Sequence, residues 1–306
     1  MARASTGRHR PVMLAVAGDS AAGKRTLTAG LVAALGPDRC ASFSADDYQR
    51  FDRAERRGLT VTSVHPDSNY VDVLEQHLQL LATGQPVLKP VYDHSVGRRS
   101  RPELFEPKEF VIVHGVLPLH TKLSRACFDV AVYLDPAEDV RRSWKVRRDI
   151  AVRGYTAEQV DAAWEADEGT SARVIRPQRA HADIVVRFAA ITGRDDPPGT
   201  ELSAEVLLRP TVSQPDLTQV LQPAVTGTAH LRLTRDTDGR PVDSLHVHGY
   251  ASREENAIAE KLLWEALGDP NVQVPDALGD TGCGTRSTPL AITQMILLHH
   301  LLHGSR

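Results

Sequence analysis

The sequence predicts an α/β protein: a mainly parallel sheet flanked by helices, followed by a C-terminal α+β extension with a hairpin. Three observations carry this prediction. Short apolar runs recur at 12–17, 40–44, 110–113, 130–134 and 184–188, with helix-like stretches between most of them. That alternation is the pattern of a parallel sheet covered on both faces. The first run leads directly into a glycine-framed loop, Gly18-Asp19-Ser20-Ala21-Ala22-Gly23-Lys24-Arg25-Thr26. After residue 190 the texture changes, and alternating segments surround Asp236-Thr237-Asp238-Gly239, a hairpin signature.

Taken in chain order, residues 1–11 carry Arg3, Arg8 and Arg10 without an apolar core, so they read as a loose cytosolic tail and not as a secretory signal. Residues 12–190 form the expected core. Within it Thr28 to Leu35 continue as a helix that Gly36-Pro37 stops. Val71, Leu74, Leu78 and Leu81, at spacings of three and four, predict another, and further helices are expected over 137–152 and 156–164. Residues 191–200, with Gly193, Pro197, Pro198 and Gly199, read as a connector. Residues 200–306 are then a C-terminal portion packed on the core, with strands at 228–234 and 242–248. Ser252 and Glu255 form a capping box for a helix ending at Gly268, and Thr288-Pro289 opens a last helix running to Leu302. That helix is apolar over much of its surface, which suits core or a subunit contact, the latter implying a homodimer.

Composition narrows the classes of function. The 306 residues are 41% hydrophobic and 25% charged, with a formal net charge of -3, which describes an ordinary globule and argues against nucleic acid as a partner. No apolar run is long enough to span a bilayer, so no membrane partner and a cytoplasmic location are expected. Cys40, Cys127 and Cys283 lack paired spacing, which argues against a disulfide framework or a zinc site, and each reads as a buried small apolar residue.

The chemistry concentrates in four segments. Gly18, Gly23 and Lys24 match a phosphate loop: the glycines permit a tight turn whose N–H groups face an anion at a helix N-terminus, and the lysine reaches the outer phosphates. Arg25 stands where that pattern places a magnesium-binding hydroxyl, and Thr26 lies one residue late for the duty. The second run ends in Ser44-Ala45-Asp46-Asp47-Tyr48, placing two carboxylates at the carboxyl edge of the sheet, where one can take a proton from an attacking hydroxyl; Asp47 is alternatively a helix N-cap. Lys89-Pro90-Val91-Tyr92-Asp93-His94 followed by Arg98, Arg99 and Arg101 reads as a short strand entering a basic loop, suited to a phosphorylated substrate or simply solvated. Trp144 to Gly154 is a cationic helix end, either a lid over a transferring phosphoryl group or a salt-bridged surface helix.

In this order the four segments resemble the phosphoribulokinase and uridine kinase family, on its phosphoribulokinase side. The resemblance covers residues 12–190 and includes Pro177-Gln178-Arg179 and Ala182-Asp183 before the last core strand. It implies a P-loop kinase fold, ATP and Mg2+ as cofactors, a sugar phosphate as acceptor, and in-line transfer from ATP to the C1 hydroxyl of ribulose 5-phosphate. By motif position it implies Asp46 as the base, with Lys24 polarising the γ-phosphate; magnesium arriving with ATP would be held by phosphate oxygens, waters and Asp46 or Asp47. Lys145, Arg148 and Arg153 become lid cations near the nucleotide held by residues 18–26, and Asp47, Gln49, Arg53, Tyr92 and His94 hold the sugar phosphate.

The chain departs from that pattern at Arg25, at His114-Gly115, where the family carries Glu-Gly with the glutamate serving magnesium, and at Gln49, where it has a histidine. Ala22 and Ser44 occupy the positions of the plant members' thiol switch, so no such switch operates. Two other readings stay open at this stage: a uridine- or nucleoside-type kinase, and a nucleotide-binding relative with a regulatory role.

Overall fold

Val12–Gly18 (β1) is buried along six of its seven residues, which places it in the interior of a sheet. In the computed structural model, which describes residues 10–213, 215–218, 225–266 and 274–303, β1 pairs in parallel with Phe110–Gly115 (β5) on one side and Val130–Leu134 (β6) on the other. Cys40–Ser44 (β2) adds to β5, and Ile184–Ala189 (β7) to β6, both in parallel. These are the five strands expected from the apolar runs. The expected tail as far as residue 9 and the helix end at Gly268 fall outside the described residues.

The sheet does not stop at β7. Ser203–Leu208 (β8) pairs antiparallel with it, and the expected hairpin, Ala229–Arg235 (β9) with Pro241–Val247 (β10), joins through β10. The eight strands run in the order β2-β5-β1-β6-β7-β8-β10-β9. Asp236 and Arg179 join the hairpin turn to the approach to β7 at 2.7 Å, and Arg209, following β8, meets Asp236 at 2.6 Å. Both the Arg209 and the Asp236 side chains are 1% exposed.

Helices cover both faces. On one side Leu27 and Leu31 of Lys24–Leu35 (α1) pack with Leu14, Val16 and Ile112 of the sheet and with Ile292, Met295 and Ile296 of Thr288–His303 (α8). Burying one such side chain stabilises the fold by about 1.5–3 kcal/mol. The all-round apolarity of α8 is thus used within the chain's own core. Gln294 of α8 donates to the Leu27 carbonyl at 3.1 Å and accepts from Gly279 at 2.8 Å, and Gly30 gives it room, since a Cβ there would collide with the amide. On the other side Leu74, Leu78 and Leu81 of Val71–Ala82 (α3) meet Met13, Val111 and Val113.

Two expectations are corrected. The segment after Asp93 is not a basic loop: Val87–Asp93 (β3) turns back into Arg98–Phe105 (β4), a separate antiparallel pair in which Arg98, Arg99 and Arg101 are exposed strand residues. Arg99 is held by Asp52 at 3.0 Å and Glu55 at 2.8 Å, because those carboxylates start the short helix Arg53–Arg56 (α2) beside it. Cys40 and Cys127 are buried as expected, but Cys283 is exposed, on a turn between Gly282 and Gly284. Among the described residues no helix is long and apolar enough to cross a membrane.

Candidate active site

The carboxyl ends of three parallel strands meet at one edge. Val16 of β1 and Ser44 of β2 both lie opposite His114 of β5, so the loop after β1, the turn after β2 and the end of β5 converge there, where ligands of open α/β sheets bind. The loop is shaped by backbone and not by side-chain bulk. Gly18 adopts φ +149°, and a Cβ on it would stand 2.6 Å from the Leu134 carbonyl oxygen of β6. Ala21 has φ 64°, the left-handed region in which a non-glycine residue is strained and which turns successive N–H groups toward an anion. The Lys24 ammonium donates to the carbonyls of Gly18 at 2.9 Å and Asp19 at 2.7 Å. Gly18→Ala is expected to weaken nucleotide binding by about tenfold or more, measured by calorimetry; unchanged affinity would refute this account of the loop.

Burial pushes the Lys24 pKa down to about 8, with Asp46 and Asp19 opposing and Arg148 and Arg141 adding to the shift. The ammonium is therefore lost as pH rises through about 8. Affinity for a polyphosphate should fall over that interval. Folding stability should move the other way, because above the folded pKa the unfolded chain binds the extra proton. Calorimetric titrations and urea melts between pH 7 and pH 9, roughly, would show both trends, and Lys24→Met should flatten both.

Asp19 ties the loop to the neighbouring helices. Its Oδ1 accepts from the Ser20 N–H at 2.8 Å and from Ser171 Oγ at 2.9 Å, and its Oδ2 lies 3.4 Å from Arg141. Ser171 begins a π-helical turn, 171–175, that follows Ala157–Thr170 (α6), and Arg141 belongs to Glu138–Arg153 (α5). Arg148 of α5 donates to Ser20 Oγ at 3.4 Å. Lys145, also on α5, is engaged by Asp149 at 3.4 Å and Asp167 at 3.9 Å, and burial lowers its pKa despite both carboxylates. Of the expected lid cations Arg148 reaches the loop, and Lys145 is held in an ion-pair cluster on the same helix.

Asp46 sits in a single 3-10 turn, 45–47, capped by Ser44, which accepts from the Asp46 N–H at 3.2 Å. Its Oδ1 accepts from the Val116 N–H at 2.8 Å, fixing the carboxylate beside the end of β5. From there opens a cleft of about 80 Å³ lined by Asp46, Gln49, Arg53, Tyr92, His94 and Arg153, together with Ser20, Arg56 and Tyr155. Arg153, expected at the nucleotide, lines this cleft, which Ser20 of the phosphate loop also borders, and is held by Asp149 at 3.2 Å. Arg53 donates to the His94 carbonyl at 2.7 Å and lies 4.9 Å over the Tyr155 ring. Tyr92 and His94 stack edge to face at 4.9 Å, and burial lowers the His94 pKa, favouring the neutral ring.

Two expected cleft residues are otherwise occupied. Asp47 pairs with Lys89 at 3.0 Å, its other oxygen 4.0 Å from His94 of the cleft lining, and is not a helix cap: Ser44 and Asp52 serve as caps on either side of it. Gln49 donates to the Ser63 carbonyl at 3.1 Å and to Asn69 at 2.6 Å, and accepts from Arg56 at 3.0 Å, so its amide has no free donor for a ligand. Sequence reasoning missed Arg56 and Tyr155. Arg56 donates to Tyr92 Oη at 3.2 Å; the signal that could have exposed it is the Asp52-x-x-Glu55 capping box, which sets the helix carrying both arginines.

The residues do not fit a magnesium ion anchored by the protein. Such an ion takes oxygen ligands. At the end of β5 the side chain is the His114 imidazole, whose pKa is pushed down to about 4 by burial and, against Asp46, by the charges of Lys24 and Arg25. The side chain after Lys24 is a guanidinium, which donates only. Among the described residues no group of three or more carboxylate, imidazole or thiol side chains gathers as for a metal ion, and one oxygen of Asp46 already accepts from Val116.

A phosphate loop between strand and helix, faced by a carboxylate and covered by arginine-bearing helices, defines a P-loop kinase by fold and site. The phosphoribulokinase / uridine kinase family profile matches residues 13–192, and the chain belongs to that family. It is 36% identical to a phosphoribulokinase of Synechocystis over 60% of this chain and 55% of that protein. It is 31% identical to a uridine kinase of Oceanobacillus iheyensis over 58% of this chain and 87% of that one. The chain spans about half the length of the phosphoribulokinases it matches. Its fold is similar to that of the phosphoribulokinase from Rhodobacter spheroides, with a TM-score of 0.59 over 83% of this chain and 94% of that one at 17% identity.

Proposed function

We propose that the protein transfers the γ-phosphoryl group of ATP to the C1 hydroxyl of ribulose 5-phosphate. The observation that carries this reading is the cleft: Arg53, Arg56 and Arg153 line the same space as the Asp46 carboxylate. Guanidinium groups suit a phosphate on the acceptor, and an uncharged nucleoside has no need of three of them. In this reading the cradle of residues 18–26 holds the triphosphate, and Lys24 and Arg148 neutralise charge that develops on the transferring group. Asp46 accepts the proton of the attacking hydroxyl. Tyr92 and His94 form one wall of the acceptor site, while Arg153 and Tyr155 close it from the end of α5.

The test follows ADP release from ATP with ribulose 5-phosphate and with uridine in parallel, each with Mg2+ or Mn2+. Turnover on ribulose 5-phosphate alone is expected. Turnover on uridine alone would overturn the acceptor assignment. ATP binding with no turnover on either acceptor would favour a nucleotide-binding relative with a regulatory role, the reading for which Arg25 and His114 speak.

A further inference from the structure

We infer that this site takes the nucleoside triphosphate free of metal in preference to its magnesium complex, with Arg25 standing in the place of the ion. The inference rests on the proposed nucleotide only for the identity of the triphosphate. Arg25 lies in the first turn of α1, directly after Lys24, where open backbone N–H groups and the helix dipole already favour negative charge. The position is exposed, and across the loop from it His114 lies at the end of β5, paired with Val16 of β1. Arg148 and Arg141 reach the same loop from α5, both at 3.4 Å from Ser20.

The balance of charge follows. A triphosphate without metal carries about four negative charges, and its magnesium complex about two. A site that has exchanged an oxygen ligand for a fixed cation gains attraction for the first species and adds repulsion toward the ion of the second. His114 completes the exchange, because the place facing the loop holds an imidazole in contrast to a carboxylate, and imidazole is a poor partner for magnesium. Asp46 remains, but its position beside the Val116 N–H serves the acceptor cleft as much as the phosphates.

The experiment is calorimetric titration of the full chain with ATP, once in excess EDTA and once at saturating Mg2+. We expect metal-free ATP to bind at least about threefold more tightly. Arg25→Ser, at an exposed position where folding is not at risk, should erase that preference, and Arg25→Ser with His114→Glu should reverse it by about tenfold. Thermal melts of each variant verify that it is folded. Tighter binding of the magnesium complex by the wild type would overturn the inference and leave the nucleotide assignment standing. No binding in either condition by folded protein would overturn both.

Discussion

Asp46→Asn is expected to lower kcat for phosphoryl transfer by about 10³-fold while ATP affinity changes by no more than about threefold. The geometry makes this a clean substitution. The Asp46 carboxylate accepts one backbone hydrogen bond, from Val116, and an amide oxygen in the same place can still accept it, so the turn after β2 should persist. What is lost is the capacity to take a proton. Steady-state ADP release together with calorimetric ATP titration separates the two effects, and a variant retaining more than about a tenth of wild-type kcat would remove Asp46 from the role of base.

Asp236→Asn should have the largest effect on stability, a loss of about 3–5 kcal/mol that appears as a fall in Tm of several degrees. The Asp236 carboxylate is shared by Arg179 at 2.7 Å and Arg209 at 2.6 Å, with Arg209 and Asp236 both almost wholly inaccessible. Burial alone would raise its pKa, but the hydrogen bonds from Arg179 and Arg209 overcome this and hold the carboxyl well below the usual carboxylate range. Its contribution to stability is therefore present at neutral pH and lost only as pH falls into the strongly acid range. Neutralising it removes the carboxylate that joins the two guanidinium groups at the hairpin turn, leaving Arg179 facing Asp135 at 3.0 Å and Arg209 facing Asp238 at 3.4 Å. A Tm within a degree or so of wild type would show that the network is dispensable.

The fold was legible where burial writes a simple pattern. The parallel strands are nearly continuous apolar runs because both their faces are covered, and α3 shows its core face at the helical spacing. β4 was not legible: seven of its eight residues are exposed, so its composition is that of a loop, and only pairing with β3 makes it a strand. β8 escaped because Ser203 and Glu205 blur its alternation and because its partners, β7 and β10, are fixed by tertiary pairing. At the site, the phosphate loop and Asp46 announce themselves through local spacing. Arg56 and Tyr155 reach the cleft from segments about a hundred residues apart, and no local motif encodes their meeting.

The packing of α8 behind α1 bears on how the protein comes to life. The helix that opens at the phosphate loop leans on one lying roughly 260 residues further along the chain, through Gln294 and the space that Gly30 leaves for it. During synthesis the loop emerges well before its supporting partner, which follows roughly 260 residues later. A nascent chain can therefore form the central strands well before it can hold a nucleotide firmly, and acquisition of ligand-induced protease resistance should coincide with emergence of α8.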